Sequence, residues 1–175
     1  MALKATIFKA SLQIADTDRN YYQTHALTLA RHPSETDERM MMRLLAFALH
    51  AHERLTFGKG LSTDDEPDLW QKDLTGAIEL WVDVGLPDAS RLRKACGRAN
   101  DVVVYGYGGS AAAKWHTEIA ATVTRTRNLQ VRNIPPEASR AMARLAQRNM
   151  ELSYTVQEGQ VWVATAQETV AISLT

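Results

Sequence analysis

The chain of 175 residues contains one cysteine, Cys96, so it cannot form a disulfide within itself. A lone thiol fits a reducing compartment, where structural disulfides are rare. No apolar run approaches the roughly 18 residues of a membrane-spanning helix. The amino terminus also lacks the apolar stretch and the small-residue cleavage site of a signal peptide. We therefore expect a cytoplasmic protein of bacterial type with no membrane partner.

The chain also has a net charge of zero, because 20 Lys and Arg residues balance 20 Asp and Glu residues. This balance removes the simplest argument for nucleic-acid binding, which is a basic protein. Residues 61–89, however, contain eight acidic residues and one lysine, whereas residues 110–150 contain seven basic and two acidic residues. An acidic site beside basic flanks would suit a metal-dependent enzyme that acts on a polyanion. Two solvated surfaces of opposite charge explain the pattern equally well.

The composition itself is that of a soluble globular protein, with 45% hydrophobic and 23% charged residues. A chain of this length fits one domain with a sizeable core. No repeat, linker or low-complexity segment interrupts it. We therefore predict a single domain over residues 1–175. The sequence leaves the oligomeric state open, and a monomer is the simpler expectation.

Hydrophobic periodicity predicts an α/β fold. Apolar and polar residues alternate over Thr6–Asp16 and again over Gln23–His32, which predicts an antiparallel hairpin. A helix follows, with Ser34 as its N-cap and an apolar surface around most of its circumference between Met40 and Ala51. The remaining pattern predicts a carboxyl-terminal meander, strands at 76–85, 101–107 and 129–134, and helices at 88–97, 111–124 and 136–148. We expect one mixed central β-sheet flanked by helices.

Three acidic residues stand out in this framework. Asp68 follows Pro67 in an acidic loop, and Glu79 and Asp83 lie on the predicted strand 76–85. Carboxylates from a loop and a strand, followed by a helix that carries Lys94, are what a Mg²⁺-dependent phosphodiesterase needs. Glu79 and Asp83 share one strand face but lie about 13 Å apart. One of them is expected to be a ligand beside Asp68, and the sequence leaves open which. The alternative is that each pairs with an arginine.

Three longer strings make the chain similar to the YaeQ family of small bacterial proteins. They are Leu27-Thr-Leu-Ala-Arg-His-Pro-Ser-Glu-Thr-Asp-Glu-Arg-Met-Met, Asp64-Asp-Glu-Pro-Asp-Leu-Trp, and Leu80-Trp-Val-Asp-Val-Gly-Leu-Pro-Asp through Lys94-Ala. The resemblance covers nearly the whole chain. It implies a variant of the restriction-endonuclease-like PD-(D/E)XK nuclease fold, and it implies no established activity.

The motif of that nuclease fold matches this sequence in part. Pro67-Asp68 corresponds to its first element. Neither Glu79 nor Asp83 is followed by the motif lysine two residues later, because Trp81 and Gly85 stand there. A lysine on the next helix would serve as well if it reached the same point and stabilised developing charge. The resemblance therefore implies Mg²⁺ or Mn²⁺ as the cofactor, with four candidate catalytic residues: Lys94, Asp68, Glu79 and Asp83.

Two further groups of charged residues are candidates. The first helix of such nucleases can supply an acidic metal ligand, which makes Glu35 a secondary candidate for the metal. An ion-pair ladder with Arg39 and Arg43 is the alternative. The same spacing recurs on the last helix in three candidate contacts to a nucleic-acid backbone, for which a solvated helix face is the alternative: Arg140, Arg144 and Arg148.

These observations predict a metal-dependent nuclease or phosphodiesterase of the YaeQ family. The rival hypothesis is a protein that retains the fold without catalysis and binds nucleic acid or a protein partner as a regulator. The positions of the candidate residues in the structure are the first test between the two hypotheses. The nuclease requires Asp68 and one strand carboxylate to open into one cleft, with the Lys94 ammonium close by.

Overall fold

The order of helices and strands confirms a mixed α/β fold. The computed structural model describes residues 4–59 and 65–174. In chain order its elements are β1 Thr6–Asp16, β2 Tyr21–Arg31, α1 Asp37–His50, β3 Leu55–Phe57, β4 Leu69–Lys72, β5 Ile78–Val84, α2 Ala89–Arg98, β6 Ala99–Gly106, α3 Ser110–Arg125, β7 Leu129–Asn133, α4 Pro136–Ala143, β8 Asn149–Gln157, β9 Gln160–Ala164 and β10 Thr169–Ser173.

The strands form two mixed sheets, so the expectation of one central sheet is wrong. Sheet A has the strand order β10-β9-β8-β1-β2, and sheet B has the order β3-β4-β5-β6-β7. In sheet A, β1 pairs in parallel with β8, and its other pairs are antiparallel. In sheet B, β5, β6 and β7 are parallel, and β3 and β4 extend the sheet in antiparallel fashion. Periodicity located most of the strands, but it carries no information about which distant strands pair.

The chain divides into two compact units. The first unit contains Met1–Leu49 and Glu137–Thr175, and the second contains His50–Pro136. Sheet A therefore belongs to the first unit and sheet B to the second. The structure shows this division into two units. The single domain expected over residues 1–175 stays a prediction. Among the described residues, no helix is both long and apolar enough to cross a membrane.

Helix α1 is buried along nearly its whole length. Every residue from Met40 to Leu49 is buried, as the apolar circumference predicted. The N-cap expected at Ser34 is wrong: the Thr36 hydroxyl accepts the Arg39 N–H at 3.1 Å, and the Ser34 hydroxyl bonds instead to the His32 ring at 2.6 Å. The helix therefore starts two residues later than expected, at Asp37.

Helix α4 is shorter than the predicted 136–148. It ends at Ala143, and the next turn tightens. The backbone N–H groups of Leu145 and Ala146 bond to carbonyls three residues back, at 3.0 and 3.2 Å. A turn of this kind ends an α-helix. Arg144 and Arg148 therefore lie beyond the helix, so the expected ladder of three arginines along one helical face is wrong.

Sheet B has its own core beneath α2 and α3. Trp81 of β5 and Val102 and Val104 of β6 pack there with Leu92 of α2 and Trp115 of α3. Such continuous burial is typical of parallel strands covered by helices. Strand β4 was not predicted, because it is short and follows an acidic loop. This unpredicted strand sets the position of Asp68.

One buried tyrosine in sheet A lacks a hydrogen bond. Tyr154 of β8 is 0% exposed, and its hydroxyl has no hydrogen-bond partner among the described residues. Burial of a hydroxyl without a partner costs about 1–3 kcal/mol. Burial also raises the pKa of the Tyr154 phenol.

We expect Tyr154→Phe to leave the free energy of unfolding unchanged at pH 7 or to raise it by about 1 kcal/mol. Above pH of about 10, the unfolded tyrosine ionises while the buried one stays neutral, so the parent loses stability as the pH rises and the variant's advantage grows. Urea unfolding at pH 7 and at higher pH measures both effects. Tyr22→Phe, at an exposed tyrosine, is the control. A destabilised Tyr154→Phe variant would contradict the expectation.

Candidate functional site

The pairing of β4 with β5 brings Asp68 opposite Asp83. Leu69 pairs with Val82, so the residue before Leu69 faces the residue after Val82. The Asp68 N–H donates to Asp83 Oδ1 at 3.3 Å, and the Val84 N–H donates to Asp68 Oδ2 at 2.9 Å. Asp68 and Asp83 are each 2% exposed. Of the two strand carboxylates that the sequence left open, Asp83 is the one that meets Asp68.

A glycine allows the chain to approach this pair closely. The Gly58 N–H donates to the Asp68 carbonyl at 3.0 Å. A Cβ at Gly58 would lie 2.1 Å from the Pro67 carbonyl oxygen, which is a backbone atom that cannot rotate away. Only glycine therefore fits at residue 58 unless the backbone beside Asp68 moves.

An arginine of α2 neutralises Asp83. Arg91 Nε donates to Asp83 Oδ2 at 2.9 Å and Arg91 Nη2 donates to Oδ1 at 3.2 Å, so the contact is bidentate. Arg91 Nη2 also donates to the Glu66 carbonyl at 3.0 Å. Asp88 caps α2 by accepting the Arg91 backbone N–H at 2.8 Å. The cap fixes the start of the helix, and Arg91 then ties it to β5 and to the segment before β4.

These residues do not fit a divalent cation as they are arranged. Mg²⁺ needs carboxylate oxygens that face it, and a guanidinium already contacts both oxygens of Asp83. Asp68 Oδ2 accepts a backbone N–H. Among the described residues, no group of three or more His, Cys, Asp or Glu side chains is arranged to hold a metal ion.

Glu79 belongs to a different contact. Arg54 Nη1 donates to Glu79 Oε1 at 2.6 Å, and the Gln71 amide lies 3.5 Å from the same oxygen. The Glu79 side chain is about one third exposed, so water also solvates it. Both strand carboxylates thus pair with arginines, which was the alternative interpretation of the sequence.

Lys94 lines a cleft beside α2. The cleft has a volume of about 750 Å³, and its described lining does not include Asp68 or Asp83. Its other lining residues are Asp65, Trp81, Asp88, Ser90, Arg91, Arg93, Ala95, Gly97 and Arg98. Lys94 is exposed and forms no ion pair among the described residues. The structure thus puts the candidate lysine in a basic cleft rather than in a cleft shared with the carboxylates.

A tryptophan holds two of the cationic side chains of this cleft. The guanidinium carbons of Arg91 and Arg98 lie 5.8 and 5.1 Å from the Trp81 ring centroid. Arg98 Nη1 also donates to the Asp65 carbonyl at 2.7 Å. The two guanidiniums are therefore fixed in place, whereas Lys94 and Arg93 extend from the same helix into solvent.

Glu35, the secondary metal candidate, lies in the first unit within an ion-pair cluster. Arg39 Nη1 donates to it at 2.7 Å, and Arg43 contacts it through Nε at 2.9 Å and Nη2 at 2.5 Å. Arg43 Nη2 also reaches the Ala30 carbonyl at 3.3 Å. Glu35 is thus the acceptor of the ion-pair ladder that was the alternative to a metal ligand.

The three candidate arginines of the first unit lie in different environments. Arg140 is exposed on α4, and Arg144 is exposed after it. Arg148 Nε donates to the Ile7 carbonyl at 2.9 Å, and its guanidinium carbon lies 5.7 Å from the Phe8 ring centroid. Contact of these residues with nucleic acid stays a prediction.

Sequence reasoning missed the residues that matter most here. It anticipated arginine partners in general but did not select Arg91 or Arg54, and it placed Trp81 at a motif position without a role. The start of α2 offered a signal for Arg91. Arg91 lies three positions after the N-cap Asp88, so it lies in the first turn of the helix, near the end of the preceding strand. Burial raises the pKa of the Cys96 thiol, which disfavours the reactive thiolate.

We expect Arg91→Ala to lower the free energy of unfolding by about 3–5 kcal/mol, because it leaves Asp83 charged and buried without its partner. Arg54→Ala is the matched control, since its pair with Glu79 is partly exposed and should contribute about 0–1 kcal/mol. Urea unfolding of both variants against the parent measures the difference. Equal losses in the two variants would contradict the central role of Arg91.

The chain is similar to known proteins over nearly its whole length. The model of the family described as YaeQ protein matches residues 1–174. The chain is 45% identical over 175 residues to a protein of Salmonella typhi, covering 100% of this chain and 97% of that one. It is 43% identical, with the same coverage, to one of Escherichia coli K12; both relatives bear the name "Uncharacterized protein YaeQ".

Crystal structures of YaeQ proteins extend the comparison to the fold. The one from Xanthomonas axonopodis pv. citri matches with a TM-score of 0.94 and 51% identity, covering 97% of this chain and 96% of that one. The one from Pseudomonas syringae matches with a TM-score of 0.93 and 34% identity, covering 97% and 94%. The chain therefore belongs to the YaeQ family.

Proposed function

We propose that the basic cleft beside α2 binds the phosphate groups of nucleic acid, and that the protein is a regulator that binds without metal-dependent cleavage. The contact of Arg91 with Asp83 carries this proposal. A carboxylate held by a bidentate guanidinium is not available to a metal ion. Lys94 and Arg93 of α2 are exposed and can contact a polyanion.

The spacing on α2 favours such binding. Arg91, Lys94 and Arg98 follow one another at three and four residues, so they lie along one stripe of the helix. Arg98 is fixed over Trp81, which lowers the conformational entropy that it loses when it meets a ligand. Arg91 is committed to Asp83 and is not counted as a phosphate contact. Lys94 stands between them without an ion pair among the described residues. Phosphate contacts of this kind supply affinity that does not depend on sequence.

The balance of charges limits the strength of this binding. Asp65 and Asp88 also line the cleft and would repel phosphate. The chain as a whole has no net charge, so long-range attraction is weak. We therefore propose a local, strongly salt-dependent contact with a few phosphates rather than an extended electrostatic footprint.

We expect labelled single- and double-stranded DNA and RNA to show binding in fluorescence anisotropy that weakens as salt rises from about 50 to about 200 mM. Lys94→Ala and Arg93→Ala should each weaken it and lower the salt slope by about 1, because each removes one phosphate contact.

Lys114→Ala and Arg125→Ala are the matched controls, since both residues are exposed cations on α3 in the same unit. Arg140→Ala tests the alternative contact on α4. Binding that responds to Arg140 and not to Lys94 would move the site to the first unit. The absence of binding to every probe would refute the proposal.

A metal-dependent nuclease or phosphodiesterase is the competing function. The adjacency of Asp68 and Asp83 favours it, together with the resemblance of Pro67-Asp68 to the nuclease motif. In that proposal Mg²⁺ or Mn²⁺ would be the cofactor. It requires the Arg91 guanidinium to leave Asp83.

Under the binding proposal, we expect the parent protein with Mg²⁺ or Mn²⁺ to cleave none of these nucleic acids faster than Asp68→Asn or Asp83→Asn. The Asn variants keep the shape of the side chains and remove the charge, and circular dichroism checks their fold. A gel assay with end-labelled substrates provides the measurement. Cleavage by the parent that falls by orders of magnitude in both variants, and in Lys94→Ala, would establish the enzyme instead.

A further inference from the structure

Among the described residues, β2 is the longest strand at the edge of a sheet. It forms one end of sheet A, beside β1. It has 11 residues, whereas the other edge strands, β3, β7 and β10, have three to five. Proteins usually protect such an edge with lysine, proline, a bulge or a short strand. Residues 21–30 contain no Asp, Glu, Lys, Arg, Pro or Gly, and their pairing with β1 has no bulge.

The pairing of β1 with β8 decides which backbone groups of β2 face outward. The Lys9 N–H donates to the Arg148 carbonyl at 2.8 Å, so the odd-numbered residues of β1 turn their backbone groups toward β8. The even-numbered residues of β1 therefore bond to β2, and the register pairs them with odd-numbered residues. The even-numbered residues of β2 thus direct their N–H and C=O groups away from the sheet. They are Tyr22, Thr24, Ala26, Thr28 and Ala30.

These outward groups are open over residues 22–28. At one end, Arg43 Nη2 donates to the Ala30 carbonyl at 3.3 Å. At the other end, Asn20 has a φ of 55° and belongs to the turn. Between these ends, the outward N–H and C=O groups have no hydrogen-bond partner among the described residues, and the even-numbered side chains are exposed. Residues 22–28 are called the open edge below.

We propose that the open edge pairs with the open edge of a second copy of this chain, in a two-fold antiparallel dimer. With the two-fold axis at His25, Tyr22 lies opposite Thr28 of the second copy, and Thr24 lies opposite Ala26 of the second copy. Each of the four pairs exchanges two hydrogen bonds, so about eight bonds form. Every outward backbone group of the open edge is then used. The open edge is therefore complementary to itself.

The two bounded ends fix the axis at His25. With the axis at Ala26, Tyr22 would bond to Ala30 of the second copy, whose carbonyl Arg43 already contacts. With the axis at Thr24, Thr28 would lie opposite the turn residue Asn20 and would stay unpaired. The axis at His25 satisfies the whole open edge and needs nothing beyond it.

The side chains of the open edge also suit this pairing. On the exposed face, the opposed side chains are uncharged, so no like charges oppose the pairing of strands. On the other face, Leu27 is half-buried at the edge of the sheet, and a neighbouring strand would cover it further. An extended peptide of another protein would meet the same backbone groups. A second copy, however, matches both bounded ends of the open edge at once. The edge lies in the first unit, so this inference does not depend on the cleft beside α2.

The first test is sedimentation equilibrium of the full chain from about 10 to about 500 µM. The open edge is shorter than the roughly 20–30 residues a side of a standard interface, so we expect a weak dimer whose population rises with concentration. Thr24→Pro removes an outward N–H and puts a ring in its place, which an edge strand tolerates. This variant should stay monomeric over the whole range.

Ala171→Pro is the matched control at the opposite edge of sheet A. The Leu174 N–H donates to the Gly159 carbonyl at 3.1 Å, so the even-numbered residues of β10 bond to β9 and the Ala171 N–H faces outward. Ala171 is exposed, as Thr24 is. The control variant should dimerise as the parent does.

Disulfide cross-linking in a Cys96→Ser background tests the position of the axis. His25→Cys places two thiols at the axis, where the Cα atoms of a non-hydrogen-bonded pair lie about 4.5 Å apart. This variant should give a covalent dimer on a non-reducing gel. Leu27→Cys is the control, because the two copies of residue 27 would lie about 13 Å apart along the strands, which is too far for a disulfide.

Thermal unfolding shows whether each variant is folded, and the cross-linking comparison decides if Thr24→Pro is not. A parent that stays monomeric at every concentration would overturn the proposal and leave the edge to an extended peptide of another protein. A dimer that Thr24→Pro does not dissociate would assign the association to another surface and also overturn it. Cross-linking of Leu27→Cys as efficient as that of His25→Cys would refute the two-fold pairing about His25.

Discussion

The ion pair of Asp83 with Arg91 is the interaction on which the second unit depends most. The register of β4 and β5 sets the carboxylates of Asp68 and Asp83 opposite each other, where like charges oppose pairing. Because both are buried, water cannot solvate them. The guanidinium contacts both oxygens of Asp83 and a further donor reaches the Glu66 carbonyl. One side chain thereby links β5, α2 and the segment that precedes β4.

This arrangement explains why a nuclease-like motif does not by itself imply a metal enzyme. A buried carboxylate can be stabilised by a proton, a metal ion or a basic side chain. In this chain the Arg91 guanidinium stabilises Asp83. In the first unit, Arg39 and Arg43 stabilise Glu35 in the same way. A fold positions residue types, but the local partners decide what chemistry remains available.

The sequence predicted the parts of the fold that local patterns determine. The alternation of apolar and polar residues over Thr6–Asp16 correctly predicted β1. The apolar circumference of α1 correctly predicted that this helix is buried. It did not predict two sheets, because the parallel pairing of β1 with β8 depends on residues far apart in the chain. For the site, strand position suggested that a carboxylate would meet Asp68. The choice of Asp83 over Glu79 required the register of β4, which local patterns did not reveal.

In the acidic segment before α2, the number of carboxylates does not indicate what each of them does. A hydrogen bond from the Thr75 hydroxyl, with backbone N–H groups of the same turn, lowers the pKa of Asp73, so this carboxylate stabilises a turn. Asp88 caps α2. Glu79 and Asp83 pair with arginines. Each of these four carboxylates thus has a specific structural partner, and the four are dispersed among a turn, a helix cap and two ion pairs. These partners engage the four carboxylates and leave Lys94 and Arg93 exposed, so cations outnumber carboxylates in the lining of the cleft beside α2.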